Sequence, residues 1–473
     1  MSVLVQRRDE SEVYLRLFLT TIVLLFLFIG YSFVLLNYSD PAFKFGPLYL
    51  LMLIQFTPFA VAFCRQQFDY ISFVLFNHLV TYSVAKLNAV TNVTGLGGLY
   101  PETVMAINEL MFCTVLMTAA YYVSRQFLFY RFVEKEKYQM LSLNVKQLIF
   151  VAGYVISVPI FIRELPSMAL AFHFAAMAAD MVLLLCSNSP GRERLAFWLR
   201  IGAFVSAIWY FLATGFLSMI GNLAGYLFIT GCLRKSVRAL AVPVFLAILA
   251  SAVQTVKASY RTALYENWDA SITQKASVLG TLIWAQYFND EIQLDEEEDR
   301  PEDKEKDGLL HGFNRVGDDS LERVLTMTPS QVPFWEGETY ASIPYMFIPR
   351  VLWPDKPTRH FWNKFGRTYG YLGEEDESTS VAVNYFAEGF MNFGYTGMYA
   401  VAVFMGFFIA LVERLSYYFL KGYFYFTFVC FLMPLMAYAI DLTSVVNAVI
   451  IQLGVLTLFR TQFVKMARRD EYS

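Results

Sequence analysis

"VYLRLFLTTIVLLFLFIGYSFVLLN", residues 13–37, is an almost unbroken apolar run. A helix that crosses a bilayer needs about 20 such residues, and this stretch exceeds that length. Arg7 and Arg8 precede it, as they would in a secretory signal. The run is nevertheless too long for a signal core, and no small-residue cleavage site follows it. It therefore reads as a first membrane helix, and the rest of the chain agrees. Of 473 residues, 57% are hydrophobic and 16% charged, which is too apolar for a soluble domain. A net charge of -3 leaves no basic face for nucleic acid, and no nucleic-acid recognition motif is present.

Windows of similar character lie near 45–64, 70–88, 104–124, 147–163, 167–187, 195–213, 214–232, 239–256, 395–412, 422–440 and 444–460. With the first they predict an all-α polytopic membrane protein of about twelve transmembrane helices. Basic residues test the count, because cytoplasmic loops collect Lys and Arg. Arg7, Arg8, Arg65, the run Arg125 to Lys146, Arg192, Arg194, Arg234, Lys235, Arg238, Arg414, Lys421 and the tail Lys465 to Arg469 all fall on one side of such a chain. Both termini are then expected in the cytoplasm. All five cysteines sit in apolar stretches without a CxxC pair, so neither a disulfide framework nor a zinc site is expected.

This topology divides the chain into residues 1–256 with helices one to nine, a large extracytoplasmic loop at 257–394 between helices nine and ten, and 395–473 with helices ten to twelve and a cytoplasmic tail. So long a loop is either functional or disordered. Its segment 290–307, "DEIQLDEEEDRPEDKEKD", reads as a solvated insert. Residues 331–371 are rich in Trp, Tyr, Phe and Pro, and are expected to be ordered.

Within that part, "FIPRVLWPDKPTRHF", residues 347–361, places Arg350, Lys356 and Arg359 on a backbone restricted by Pro349, Pro354 and Pro357, with Lys364 and Arg367 just beyond. Guanidinium forks suit phosphate oxygens. On the outer face these residues do not serve the positive-inside rule, so they either bind an anion or reach lipid headgroups and the loop's own acids. Arg163 and Arg261 stand at helix ends on the same predicted side, as anchors or as further anion ligands. The acid and base candidates are His360, Glu338 and Glu388. Histidine titrates near neutrality, but His360 reads equally as a packing residue, and Glu388 as the cap of a helix start. Glu109, His173 and Asp180 lie within predicted spans and read as polar ties between helices. Walker A, GxSxG, HExxH and metal-binding spacings are all missing, so metal-independent chemistry without a cofactor is expected.

"TPSQVPFWEGETY" (328–340), "IPRVLWPDKP" (348–357) and "VNYFAEGFMNFGYTG" (383–397) together resemble the Wzy-type oligosaccharide repeat unit polymerases of O-antigen and exopolysaccharide pathways. The resemblance covers about residues 315–400; elsewhere it extends to helix number and loop position. It implies a GT-C-like glycosyltransferase of the bacterial inner membrane. Its substrate would be an undecaprenyl-pyrophosphate-linked oligosaccharide, joined to another such unit on the periplasmic face among membrane lipids, with a chain-length regulator as a candidate partner. The matching pyrophosphate-binding positions would be Arg163, Arg261, Arg350 and Arg359, with Lys356 and Arg367 nearby. His360 stands nearest to the loop histidine that O-antigen ligases use. Trp353, Trp362 and Tyr371 offer flat faces to sugar rings, or pack within the loop. Fixed cations facing the leaving pyrophosphate would stabilise the transition state more than the ground state. An O-antigen ligase is the nearest alternative. A flippase or polysaccharide transporter is the alternative of another class, and it would require broken helices.

Overall fold

A computed structural model of the chain describes residues 21–34, 45–65, 67–87, 99–129, 218–233, 271–288, 320–346, 361–377, 379–419 and 440–450, with shorter pieces between 205 and 264 and between 432 and 453. These residues are helical or lie in turns, with no strand among them. In chain order the helices are α1 (Thr21–Val34), α2 (Gly46–Arg65) and α3, which runs from Tyr70–His78 through a π-helical turn at Leu79–Val84 to residue 87. They continue with α4 (Pro101–Phe129), α5 (Ser218–Leu233), α6 (Ile272–Phe288), α7 (Ser320–Met327), α8 (Phe361–Thr368), α9 (Tyr385–Phe419) and α10 (442–450). Three of them, α2, α4 and α9, are long and apolar enough to cross a membrane.

The chain falls into two compact units. The first comprises Met1–Phe132, Val316–Val412 and Leu435–Asn447; the second comprises Val133–Arg315, Glu413–Pro434 and Ala448–Ser473. In the first unit, α1 packs on α2 through Leu27, Val34, Leu53 and Ala60, with the Tyr31 hydroxyl bonded to Thr57 Oγ1 at 2.7 Å. Phe59 of α2 stacks on Phe76 of α3 at 4.4 Å, and Ser83 in the π turn donates to Gln55 Oε1 at 2.7 Å. A π turn widens the helix by one residue, and here it brings a polar side chain onto a neighbour's. Gly406 of α9 lies so close to α4 that an added Cβ would meet Ala120 Cβ at 2.8 Å and Tyr121 N at 2.9 Å. Small residues let helix backbones approach in this way. Glu109 of α4 accepts from the Tyr399 hydroxyl at 2.8 Å and ties the same pair of helices.

An ion pair stands beside each end of α4. At its C-terminal end Arg125 reaches Asp69, the N-cap of α3, at 3.2 Å, and Asp69 Oδ1 also accepts from Ser72 N at 3.1 Å. At its start, Thr103 donates to Glu322 of α7 at 2.9 Å, and Glu322 pairs with Lys86 from the end of α3. At 1.5 Å per residue the 22 residues from Thr103 to Arg125 cover about 33 Å, close to the thickness of a bilayer's hydrocarbon core.

Predicted spans 45–64, 70–88, 104–124 and 214–232 correspond to α2, α3, α4 and α5. The span predicted at 395–412 begins where α9 bends. Phe393 and Gly394 leave helical geometry, so residues 385–392 form a separate two-turn segment ahead of the long helix. Residues 290–307, His173 and Asp180 lie outside the described residues, as do the spans predicted at 147–163 and 167–187 and most of those at 239–256 and 422–440. Helix α6 falls within the region read as an outer loop. It belongs to the second unit, as does Tyr260, whose hydroxyl donates to Leu212 O at 2.8 Å.

Candidate functional site

The two described pieces of the predicted outer loop that belong to the first unit, 320–346 and 361–384, fold on each other. Helix α7 buries Leu321, Val324 and Leu325, while Arg323 on its other side donates to Tyr369 O at 3.1 Å and lies 4.5 Å over the Tyr371 ring. Thr328 bonds the Tyr369 hydroxyl at 2.7 Å. Burial raises the Tyr369 phenol above its ordinary value, which keeps it a neutral partner for Thr328. Phe365 of α8 packs between Tyr369 and Tyr371, and Asn363 donates to both Asp376 O and Thr379 O at 2.7 Å.

Two residues singled out in the sequence, Glu338 and Lys364, meet on this surface. The Glu338 carboxylate takes the Lys364 ammonium on both oxygens, at 2.7 and 2.5 Å, and that ammonium also sits 4.6 Å over the Trp335 ring. The Glu338–Lys364 pair is about half exposed, so its worth is that of a screened surface pair. Arg367 is exposed one turn along α8 and donates to Glu374 O at 3.3 Å. Trp362 stacks on Phe361 at 4.8 Å, and one face of Tyr371 is covered by Arg323. Arg163, Arg350, Trp353, Lys356, Arg359 and His360 lie outside the described residues. Arg261 is half-buried on the helical stretch 259–264 of the second unit.

Glu388 stands apart from the exposed group. It lies in the two-turn segment 385–392, every residue of which is buried. Asn384, Glu388 and Asn392 recur every four residues and so share one face. Asn384 caps the segment by accepting from Phe386 N at 2.7 Å, and donates to Tyr438 O at 3.2 Å. Glu388 accepts from Leu442 N at 2.7 Å. Asn392 takes the Gly337 N–H at 2.9 Å and donates to Thr339 Oγ1 at 2.9 Å. One polar stripe thus fastens three pieces of irregular backbone. The sequence reading of Glu388 as a helix cap therefore acquires a different helix: its carboxylate serves the start of α10, not its own.

Asp441 completes this arrangement and was missed in the sequence. It is the N-cap of α10, accepting from Ser444 N at 2.8 Å and from the Thr443 hydroxyl. An Asp directly before an apolar helical run was the available signal, in "DLTSVV". Glu388 and Asp441 both act on the Tyr340 phenol, which burial foremost and then these two carboxylates push above its ordinary value. His78, which makes 70–88 the weakest of the predicted spans, is also buried, and its Nε2 lies 3.2 Å from the Tyr385 hydroxyl.

Fold and site together define a helical protein with membrane-length apolar helices, an ordered loop layer at one end of α4, and a buried polar stripe beneath that layer. The chain belongs to the family described as domain of unknown function DUF8712, whose match covers residues 47–450. No curated protein and no solved structure matches it.

Proposed function

We propose that this chain is a glycosyltransferase of about twelve membrane spans, GT-C-like in plan, in the bacterial inner membrane, with both termini cytoplasmic. It joins undecaprenyl-pyrophosphate-linked oligosaccharide units into O-antigen or exopolysaccharide on the periplasmic face. Arg350, Lys356, Arg359 and Arg367 hold the pyrophosphate, and His360 or Glu338 takes the proton of the acceptor hydroxyl. The observation that carries this reading is the attachment of the loop. Glu322 binds both Lys86 and Thr103, so the loop layer is fixed to one end of the membrane-length helix α4. Its two described pieces, ending at Met346 and resuming at Phe361, bracket the basic, proline-rich segment in sequence. Cations carried there would meet the diphosphate of a lipid whose tail lies in the bilayer. As negative charge develops on the leaving pyrophosphate, prepositioned guanidinium groups stabilise it without metal or nucleotide.

A second reading, a polysaccharide flippase or transporter, is favoured by one specific feature. Helix α9 breaks at Phe393–Gly394, Glu388 is buried one turn before that break and Asp441 is buried at the start of α10, and carriers build their sites from such interruptions. A deletion strain separates the readings. Loss of the polymerase leaves glycan capped with single repeats, whereas loss of an O-antigen ligase leaves lipid-linked polymer and loss of a flippase traps units on the cytoplasmic face. Full-length polymer in the deletion strain would rule out the proposed activity.

A further inference from the structure

Glu109 spends one carboxylate oxygen on its helix neighbour and keeps the other in hand. Its Oε2 accepts from the Tyr399 hydroxyl at 2.8 Å, and its Oε1 has no bond among the described residues. The side chain is only half-buried, and among the described residues no Lys, Arg or His pairs with it. Ionisable groups on membrane-length helices almost always face the bundle interior and pair there. Glu109 instead stands at an exposed edge of α4 and α9, so its charge calls for a cation from outside the described residues.

The rings around it define which cation. Phe112, one turn along α4, meets the Tyr399 ring edge-on at 4.8 Å, and Tyr395, one turn before Tyr399 on α9, lies 6.0 Å from it. Phe112 and Tyr395 are nearly half exposed, at 48% and 45%. Aromatic faces attract ammonium groups, and a carboxylate oxygen accepts their N–H donors. Thr103, which is bonded to the loop layer, precedes Glu109 by six residues, about 9 Å along the helix. Glu109 therefore lies just beneath that layer, among tyrosines of the kind that gather where headgroups meet acyl chains. A docked basic helix would require small residues for close approach, and bulky rings stand here instead.

We propose that Glu109, Tyr399, Tyr395 and Phe112 bind the primary ammonium of an ethanolamine phospholipid. The ammonium donates to Glu109 Oε1 and lies against the rings. The acyl chains follow the exposed apolar side of the two helices, past Val115 one turn beyond Phe112 and Val403 one turn beyond Tyr399. A choline headgroup carries the same charge without N–H donors, so it lacks the hydrogen bond to Glu109. The site is separate from the basic loop and does not depend on the activity proposed above.

The test is thermal unfolding of the purified full-length chain in nanodiscs of phosphatidylcholine, alone or mixed with phosphatidylethanolamine of the same acyl chains. Phosphatidylethanolamine is expected to raise the midpoint progressively with its mole fraction, on the order of 2 °C at ten times its apparent dissociation constant. Glu109→Gln keeps an acceptor for the Tyr399 hydroxyl, so the tie between α4 and α9 stays while the response to phosphatidylethanolamine is expected to be lost. Phe112→Leu is expected to need more phosphatidylethanolamine for the same rise. Equal midpoints of the unaltered protein in the two lipids would overturn the proposal. So would an undiminished response in Glu109→Gln, which would assign the effect to the bilayer as a whole.

Discussion

Single residues carry unequal weight here, and the Lys86–Glu322 pair carries much of the loop's attachment. Both side chains are mostly buried, at 12% and 15% exposure, so removing one partner leaves a charge stranded. Lys86→Met or Glu322→Gln alone is expected to cost about 3–5 kcal/mol, and the double variant less than the sum. A double-mutant cycle by denaturant unfolding in detergent checks this, and strictly additive losses would show that the pair is not coupled. Gly394 is a different case. Its φ of 64° and ψ of -153° lie where side chains are strained, so Gly394→Ala is expected to cost about 1–3 kcal/mol by the same measurement. Asp69 supplies a pH signature. Burial holds its carboxyl above the ordinary 3.8, and Arg125 offsets that only in part. The folded state thus binds this proton more tightly than the unfolded chain does. The stability it contributes is complete below 3.8 and is lost as pH rises through the raised value. Asp69→Asn should flatten that part of the melting profile, and an unchanged slope would assign it elsewhere.

At the scale of elements, apolar length was legible and polar fastening was not. Helices α2 and α4 follow windows read from hydropathy alone, because a membrane-length apolar run has few other uses. The predicted start at residue 395 coincides with the bend at Phe393–Gly394. The buried segment 385–392 was not separated from ordinary loop sequence. Its role depends on Leu442, Tyr438, Gly337 and Thr339, which are remote in the chain, and spacing within one segment does not reveal such partners. Helix α6 escaped for a simpler reason: "ITQKASVLGTLIWAQYF" alternates polar and apolar residues too closely to register as a span. Asn392 tests the stripe. Asn392→Ala removes the acceptor of Gly337 N and one donor to Thr339 Oγ1, and is expected to cost about 1–3 kcal/mol. Limited proteolysis should then cut near 334–340 sooner than in the unaltered protein, where Phe393 lies across Gly337 and Phe334 across Gly394. Unchanged cutting would show that aromatic packing alone holds this turn.

At the scale of the whole molecule, a loop layer is fixed at one end of the membrane-length helix α4, and in sequence the basic segment lies within that loop. The candidate site was legible in part. Glu338 and Lys364 pair between α8 and the turn that follows α7, Arg367 lies one turn further along α8, and the aromatic density of 331–371 already suggested order. What the linear pattern concealed was how committed some of these groups are. Glu338 is spanned by Lys364, and Tyr371 is covered by Arg323. Those contacts shift the expected base role toward His360 and the expected sugar-facing role toward Trp353. The most direct measurement supplies the purified protein with a defined undecaprenyl-pyrophosphate-linked repeat unit and resolves product length over time. Chains of two or more repeats, formed by the unaltered protein and abolished in Arg350→Ala and Arg359→Ala, are the predicted result. Repeat units that stay single with the folded, unaltered protein would contradict it.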